Sequence, residues 1–219
     1  MTNLRRAASA VILSWALFGA VAAEPLNGPQ RTRALANLVH PEAEVRHAAI
    51  VKLGQVGLAA DAPLLLAQLR DPDLESARLA ETAIWAVWGR SGDKRVDVIV
   101  NQGVYAMGQG RLATSIELFS AAIKRRPAFT EAWNKRATAY FLLGDYRRSL
   151  KDCDEVLKRN PEHFGALAGY GQIYLRLDEL KKAVHYLERA LKINPNMDDV
   201  RELIEHIEEH LEERRGQSI

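Results

Sequence analysis

The sequence predicts an all-α fold, an α-α superhelix of stacked helical pairs closed by a final capping helix. Three observations carry this. Pro127, Pro161 and Pro195 fall at a constant spacing of 34 residues, and a fixed period of about that length marks an array of helix–turn–helix units. From Ala34 onward the apolar residues recur at helical spacing, with no alternating strand pattern. The last apolar stripe, Met197, Val200, Leu203, Ile204, Ile207 and Leu211, lies in an otherwise charged segment, which is how an array closes its exposed end.

Residues 1–23 stand apart from the fold. Arg5 and Arg6 precede an apolar run from Ala7 to Ala20, and small residues follow up to Ala23, before Glu24-Pro25. This is the layout of a secretory signal peptide. The run is shorter than the roughly 20 residues a membrane-spanning helix needs. A cleaved signal is expected, with a retained inner-membrane anchor as the alternative. No cysteine lies at the cleavage site, so a lipoprotein anchor is not expected. The expected location is a bacterial periplasm, and no membrane span remains after cleavage. The segment holds two arginines and no acid, so its removal leaves 28 basic against 28 acidic side chains. A nucleic-acid partner needs a basic excess, and none is expected.

Residues 24–33 read as an exposed lead-in. Residues 34–93 hold two similar units, each an apolar helix stopped at a proline, Pro41 or Pro72, and then a second helix opening on acids. Proline is tolerated in the first helical turn, and acids there favour the helix dipole. Ala48, Ala49 and Ala80 are small enough for helices to approach closely. Val45-Arg46 and Leu53-Gly54 in the first unit, and Asp71-Pro72-Asp73 in the second, resemble HEAT repeats. In the second unit Ala77-Arg78 stands for Val-Arg, with one residue added after the proline. Trp85 and Trp88 close this segment, as core packing or as an exposed ligand platform.

With each proline at position 32, three units follow: 96–129, 130–163 and 164–197. Position 8 is small (Gly103, Ala137, Gly171), and so is position 20 (Ser115, Ser149, Ala183). Position 4 is large (Ile99, Trp133, Leu167), and position 24 is apolar (Phe119, Cys153, Leu187). Position 15 suits a turn: Gly110, Gly144, Asp178. Small residues let the two helices of a unit touch, and large ones fill the space between units. On this reading Trp133 and Cys153 are core residues, and the lone cysteine makes no disulfide. This pattern resembles three copies of the tetratricopeptide repeat, with residues 198–219 as its capping helix and tail.

The resemblance implies a non-catalytic scaffold that binds a protein or peptide in a concave groove, lined by positions 2, 5, 9, 12 and 13 of each first helix. The groove residues so implied are Val100, Val104, Met107 and Phe141, which are apolar, with Asn134, Thr138, Gln172 and Arg176, which are polar. Some of these could instead pack against neighbouring helices. The basic residues with which chaperone-binding members hold a terminal carboxylate are replaced by Val100, Val104, Lys135, Gly165 and Gly169, so that clamp is not expected. One alternative is a structural self-assembly module acting through the array ends. A remote one is a zinc-dependent hydrolase, since His206-Ile-Glu-Glu209-His210 fits H-x-x-E-H. That pattern needs a third ligand well downstream, and nine residues follow. Neither a glycine-rich phosphate loop nor a nucleophile elbow occurs, and no cofactor is expected.

Overall fold

The computed structural model describes residues 28–216, and the expected signal segment lies outside them. The described residues form eleven helices and no strand. They divide into two compact units, 28–101 and 102–216.

The first unit contains α1 (Gly28–Asn37), α2 (Ala43–Val56), a 3-10 turn (Ala59–Asp61), α3 (Ala62–Gln68) and α4 (Leu74–Trp88). Helix α1 begins within the segment read as a lead-in. Its first turn is exposed, but Arg31 reaches the buried Asp61 carboxylate. Helices α2 and α4 pack closely. Ala49 and Ala80 are buried there while Ala48 is exposed, and a methyl added to Gly54 would meet Ala83 at 3.1 Å. Arg46 grips Asp71 with two 2.7 Å hydrogen bonds and donates to the His40 and Pro41 carbonyls at 2.9 and 3.0 Å. One side chain thus fastens the first helical pair to the start of the second. The hydrogen bond from Arg46 holds the Asp71 carboxyl below its ordinary range. Arg78, its counterpart by sequence, is exposed. Trp85 and Trp88 are both buried, edge to face at 5.6 Å.

Helix α5 (Lys94–Gly108) runs across the boundary between the units. The second unit continues with α6 (Leu112–Arg125), α7 (Thr130–Leu143), α8 (Tyr146–Arg159), α9 (Phe164–Arg176), α10 (Leu180–Ile193) and α11 (Asp198–Gly216). From α6 on, each helix packs on the next in the chain. The turns within pairs repeat one geometry. Gly110, Gly144 and Asp178 have φ of +71°, +83° and +60°. After each, the next amide bonds back five residues, Arg111 to Ala106, Asp145 to Tyr140 and Glu179 to Tyr174, all at 2.9 Å. This is the Schellman closure, which needs a left-handed residue. Asp178 adopts that conformation without being glycine, and Arg214 of α11 holds its carboxylate at 3.0 Å.

The two helices of a pair approach through complementary sizes. A methyl on Gly103 would lie 2.5 Å from the Phe119 ring, and one on Gly171 would lie 2.4 Å from Leu187. In the middle pair Ala137 fills the small position, and its partner shrinks to Cys153 in the same buried cluster. Burial pushes the Cys153 thiol up, away from thiolate chemistry. Ser149 adds a 2.8 Å hydrogen bond to the Ala137 carbonyl across this contact. Trp133 departs from its expected core placement. It is half-buried between the guanidiniums of Arg136 and Arg159, at 5.0 and 4.8 Å, and its indole N–H donates to the Pro127 carbonyl at 2.9 Å. The slot at position 4 is therefore shared with cations, which stack on an indole face while keeping access to water.

Gly171→Ala should gain at most about 1 kcal/mol of helix propensity and lose about 1–3 kcal/mol to overpacking against Leu187. Its melting temperature should fall. Adding Leu187→Cys, which recreates the pair of the middle unit, should give a double-variant loss smaller than the sum of the single losses. Additive losses in denaturant melts would show that the two positions do not share one space.

Candidate functional site

The expected groove residues lie on α5, α7 and α9, the first helices of the three pairs. On α5, Val100, Val104 and Met107 are buried; Val100 belongs to the first compact unit and the other two to the second. On α7, Phe141 is buried, while Asn134 and Thr138 are half-buried. Phe141 also serves packing: it joins Ala137, Cys153, Tyr170 and Ile173 in one cluster, and Tyr146 approaches its ring at 5.7 Å. The Arg176 guanidinium of α9 lies 5.7 Å from the same ring, so the structure brings Phe141 and Arg176 together.

The polar part of this face is organised around a carboxylate that the sequence did not single out. Glu131, in the first turn of α7, is 2% exposed, and Lys135 one turn later is 3% exposed. His163, at the start of α9, is fully buried. The His163 Nδ1 accepts the Ala166 backbone N–H at 3.0 Å and so caps α9. That role fixes the tautomer: Nε2 carries the proton and donates to Glu131 at 2.6 Å. The contact is thus a hydrogen bond from a neutral ring. The Asn134 amide donates to both Glu131 oxygens at 3.3 Å, and the Lys135 ammonium lies 3.7 Å away. Burial by itself would raise the Glu131 carboxyl. The His163 bond and the Lys135 charge outweigh it and bring the carboxyl down to about 2. Burial pulls the Lys135 ammonium below its ordinary value.

This cluster changes what each expected residue can offer. Asn134 already gives its amide to Glu131, and the Thr138 hydroxyl donates to the Asn134 carbonyl at 3.1 Å. Gln172 differs. It is 1% exposed, and its Oε1 accepts no hydrogen bond. A buried amide acceptor without a donor is costly, and at this burial it lies beneath the surface that a ligand could touch. The cluster of Glu131, Lys135 and His163 was hidden in the sequence. The link to His163 spans 32 residues and exists only in the fold.

The zinc-like motif lies on α11. His206 is exposed, with its Nδ1 at 2.6 Å from the Glu202 carbonyl oxygen. His210 Nε2 accepts from the Arg214 guanidinium at 3.0 Å, which places a positive charge where a cation would bind. Among the described residues no three His, Cys, Asp or Glu side chains are grouped to hold a metal ion. No helix of the described residues is long and apolar enough to cross a membrane.

Fold and site together define a helical-repeat protein. Residues 100–150 and 135–198 match the tetratricopeptide repeat family. The chain is 32% identical over 126 residues to a TPR repeat-containing protein of Rhizobium etli, covering 58% of this chain and 61% of that one. It is 26% identical over 118 residues to Hsp70-Hsp90 organizing protein 1 of Glycine max, covering 52% of this chain and 21% of that one. Each alignment thus spans less than two thirds of the relative. Among solved structures, the first TPR domain of Spaghetti (RPAP3) bound to an HSP90 peptide superposes with a TM-score of 0.52 at 23% identity, over 54% of this chain and 94% of that one. The Sgt2 TPR domain of Aspergillus fumigatus gives 0.53 at 21%, over 56% and 83%. At these identities the likeness is one of fold.

Glu131→Gln should destabilise the protein by about 3 kcal/mol, because it removes the carboxylate facing a buried ammonium. The loss should depend on pH. A carboxyl held below its ordinary 4.5 contributes its stability above that value and loses it as pH falls towards about 2. Denaturant melts should therefore show the wild-type advantage undiminished at pH 6 and shrinking below about pH 4.5. A difference that is constant across this range would contradict the assignment.

Proposed function

We propose that the chain is a non-catalytic scaffold that holds a protein or peptide on the α7 and α9 face of its tetratricopeptide repeats. The observation that carries this reading is the half-buried Arg176 guanidinium beside the Phe141 ring, on the face that also holds half-buried Asn134 and Thr138. A guanidinium offers donors to the backbone carbonyls of an extended ligand without demanding a particular ligand sequence. The RPAP3 domain, bound to an HSP90 peptide, is a precedent for the fold taking a peptide. Its ligand class is not carried over. The positions from which chaperone-binding members grip a terminal carboxylate are Val100, Val104, Lys135, Gly165 and Gly169 here, and Lys135 faces the Glu131 carboxylate. The ligand is therefore read as an internal segment without a terminal carboxylate.

The residue pattern of 1–23 supports export, and the working location is the bacterial periplasm or cell envelope. The pattern of 34–93, with Arg46 tying one helical pair to Asp71 of the next, supports a HEAT-like pair of units.

Arg176→Gln removes the guanidinium beside Phe141 at the half-buried surface of α9. With periplasmic extract as the source of partners, crosslinked capture by this variant should fall at least tenfold while its melting temperature stays near that of the wild type. Capture equal to wild type would overturn the reading.

A further inference from the structure

Helix α11 buries Val200, Leu203, Ile204 and Ile207 and turns the opposite face outward. That face carries Glu202, Glu205, Glu209 and Glu212, all exposed. Steps of three, four and three residues place them in one stripe, about 15 Å long at the helical rise. Two of the three arginines of α11 are engaged elsewhere, Arg201 with Asp198 and the Pro195 carbonyl and Arg214 with Asp178, and Arg215 lies in the last turn. Among the described residues none of the four glutamates is in an ion pair. Like charges at i, i+4 oppose the helix that carries them, so an opposite row laid alongside would relieve a standing repulsion.

The second unit contains such a row. On α8, Arg147, Lys151 and Lys158 are exposed in one stripe, about 16 Å long. Their neighbours are occupied: Arg148 pairs with Asp145 at 2.5 Å, and Arg159 with Glu155 at 2.5 Å. Asp154, in the same stripe, accepts the Tyr170 hydroxyl. Among the described residues Arg147, Lys151 and Lys158 are themselves in no ion pair. The two rows match in length and oppose in charge, yet they do not pack together within one molecule, since α8 lies against α7 and α9 and α11 lies against α10.

We propose that the acidic face of α11 docks on the basic face of α8 in a second copy of this chain. Each copy offers both rows, so a two-fold pair makes the contact twice. The association is electrostatic, fast and salt-sensitive. It is independent of the groove and leaves Gln172 and Phe141 untouched.

Sedimentation equilibrium of the purified protein tests this at about 20 mM and about 0.5 M salt, where screening lengths differ several-fold. Wild type should dimerise in low salt, at least tenfold more weakly in high salt. Glu205→Lys/Glu209→Lys should be monomeric, and so should Lys151→Glu/Lys158→Glu. An equimolar mixture of the two should associate, because one contact is then the wild-type pairing and the other is complementary with its signs exchanged. All these positions are exposed, so melting curves should stay near wild type. A monomeric wild type in low salt, wild-type association of either variant, or a monomeric mixture would each overturn the proposal.

Discussion

Each helical pair of the repeat segment depends on a fit between one small and one large residue. Gly103 lies against Phe119, Gly171 against Leu187, and Ala137 shares its cluster with Cys153. The fit sets how closely the first and second helices of a pair approach. It also fixes the rotation of the first helix, and hence which side chains it turns to the candidate binding face. Interiors packed close transmit a change of one methyl group, so the register of Arg176 and Phe141 rests on these contacts between helices.

The binding face combines two kinds of polar group with opposite consequences. Glu131 is satisfied by His163 and Asn134 and neutralised by Lys135, so it forms a finished part of the interior. A buried ion pair of this kind gives little net stability but a strong penalty for mispairing. It also ties α7 to the N-terminus of α9, because the same histidine caps that helix. Gln172 is unfinished, and its oxygen lacks a donor. Arg176, half-buried beside Phe141, is within reach of a ligand, and a preformed face loses little conformational entropy on binding, which suits a scaffold.

Much of the architecture was legible because its causes are local or periodic. The prolines gave the 34-residue frame, and the frame located the left-handed turn within each of the three pairs, including Asp178, where no glycine advertised it. The small positions could be read as close approaches because only size matters there. The site was less legible. Val100, Val104, Met107, Asn134, Thr138, Phe141, Gln172 and Arg176 were placed by register, but register does not say which of them is already spent. Asn134 gives its amide to Glu131, and Phe141 is shared with the core. The Glu131–His163 and Arg46–Asp71 links join residues 32 and 25 apart, and no local pattern announces such pairs. Trp133 was misplaced for a related reason: its flanking cations, Arg136 and Arg159, lie on different helices.

The central claim is that no helical pair holds its face alone and that the stack from α6 to α10 acts as one unit. Native-state hydrogen exchange across a denaturant series measures this directly. The account predicts that the core amides of α7, α8 and α9 exchange with one common opening free energy, with lower values confined to helix ends. Separate and unequal opening of the α7–α8 and α9–α10 pairs, each with its own denaturant dependence, would contradict it.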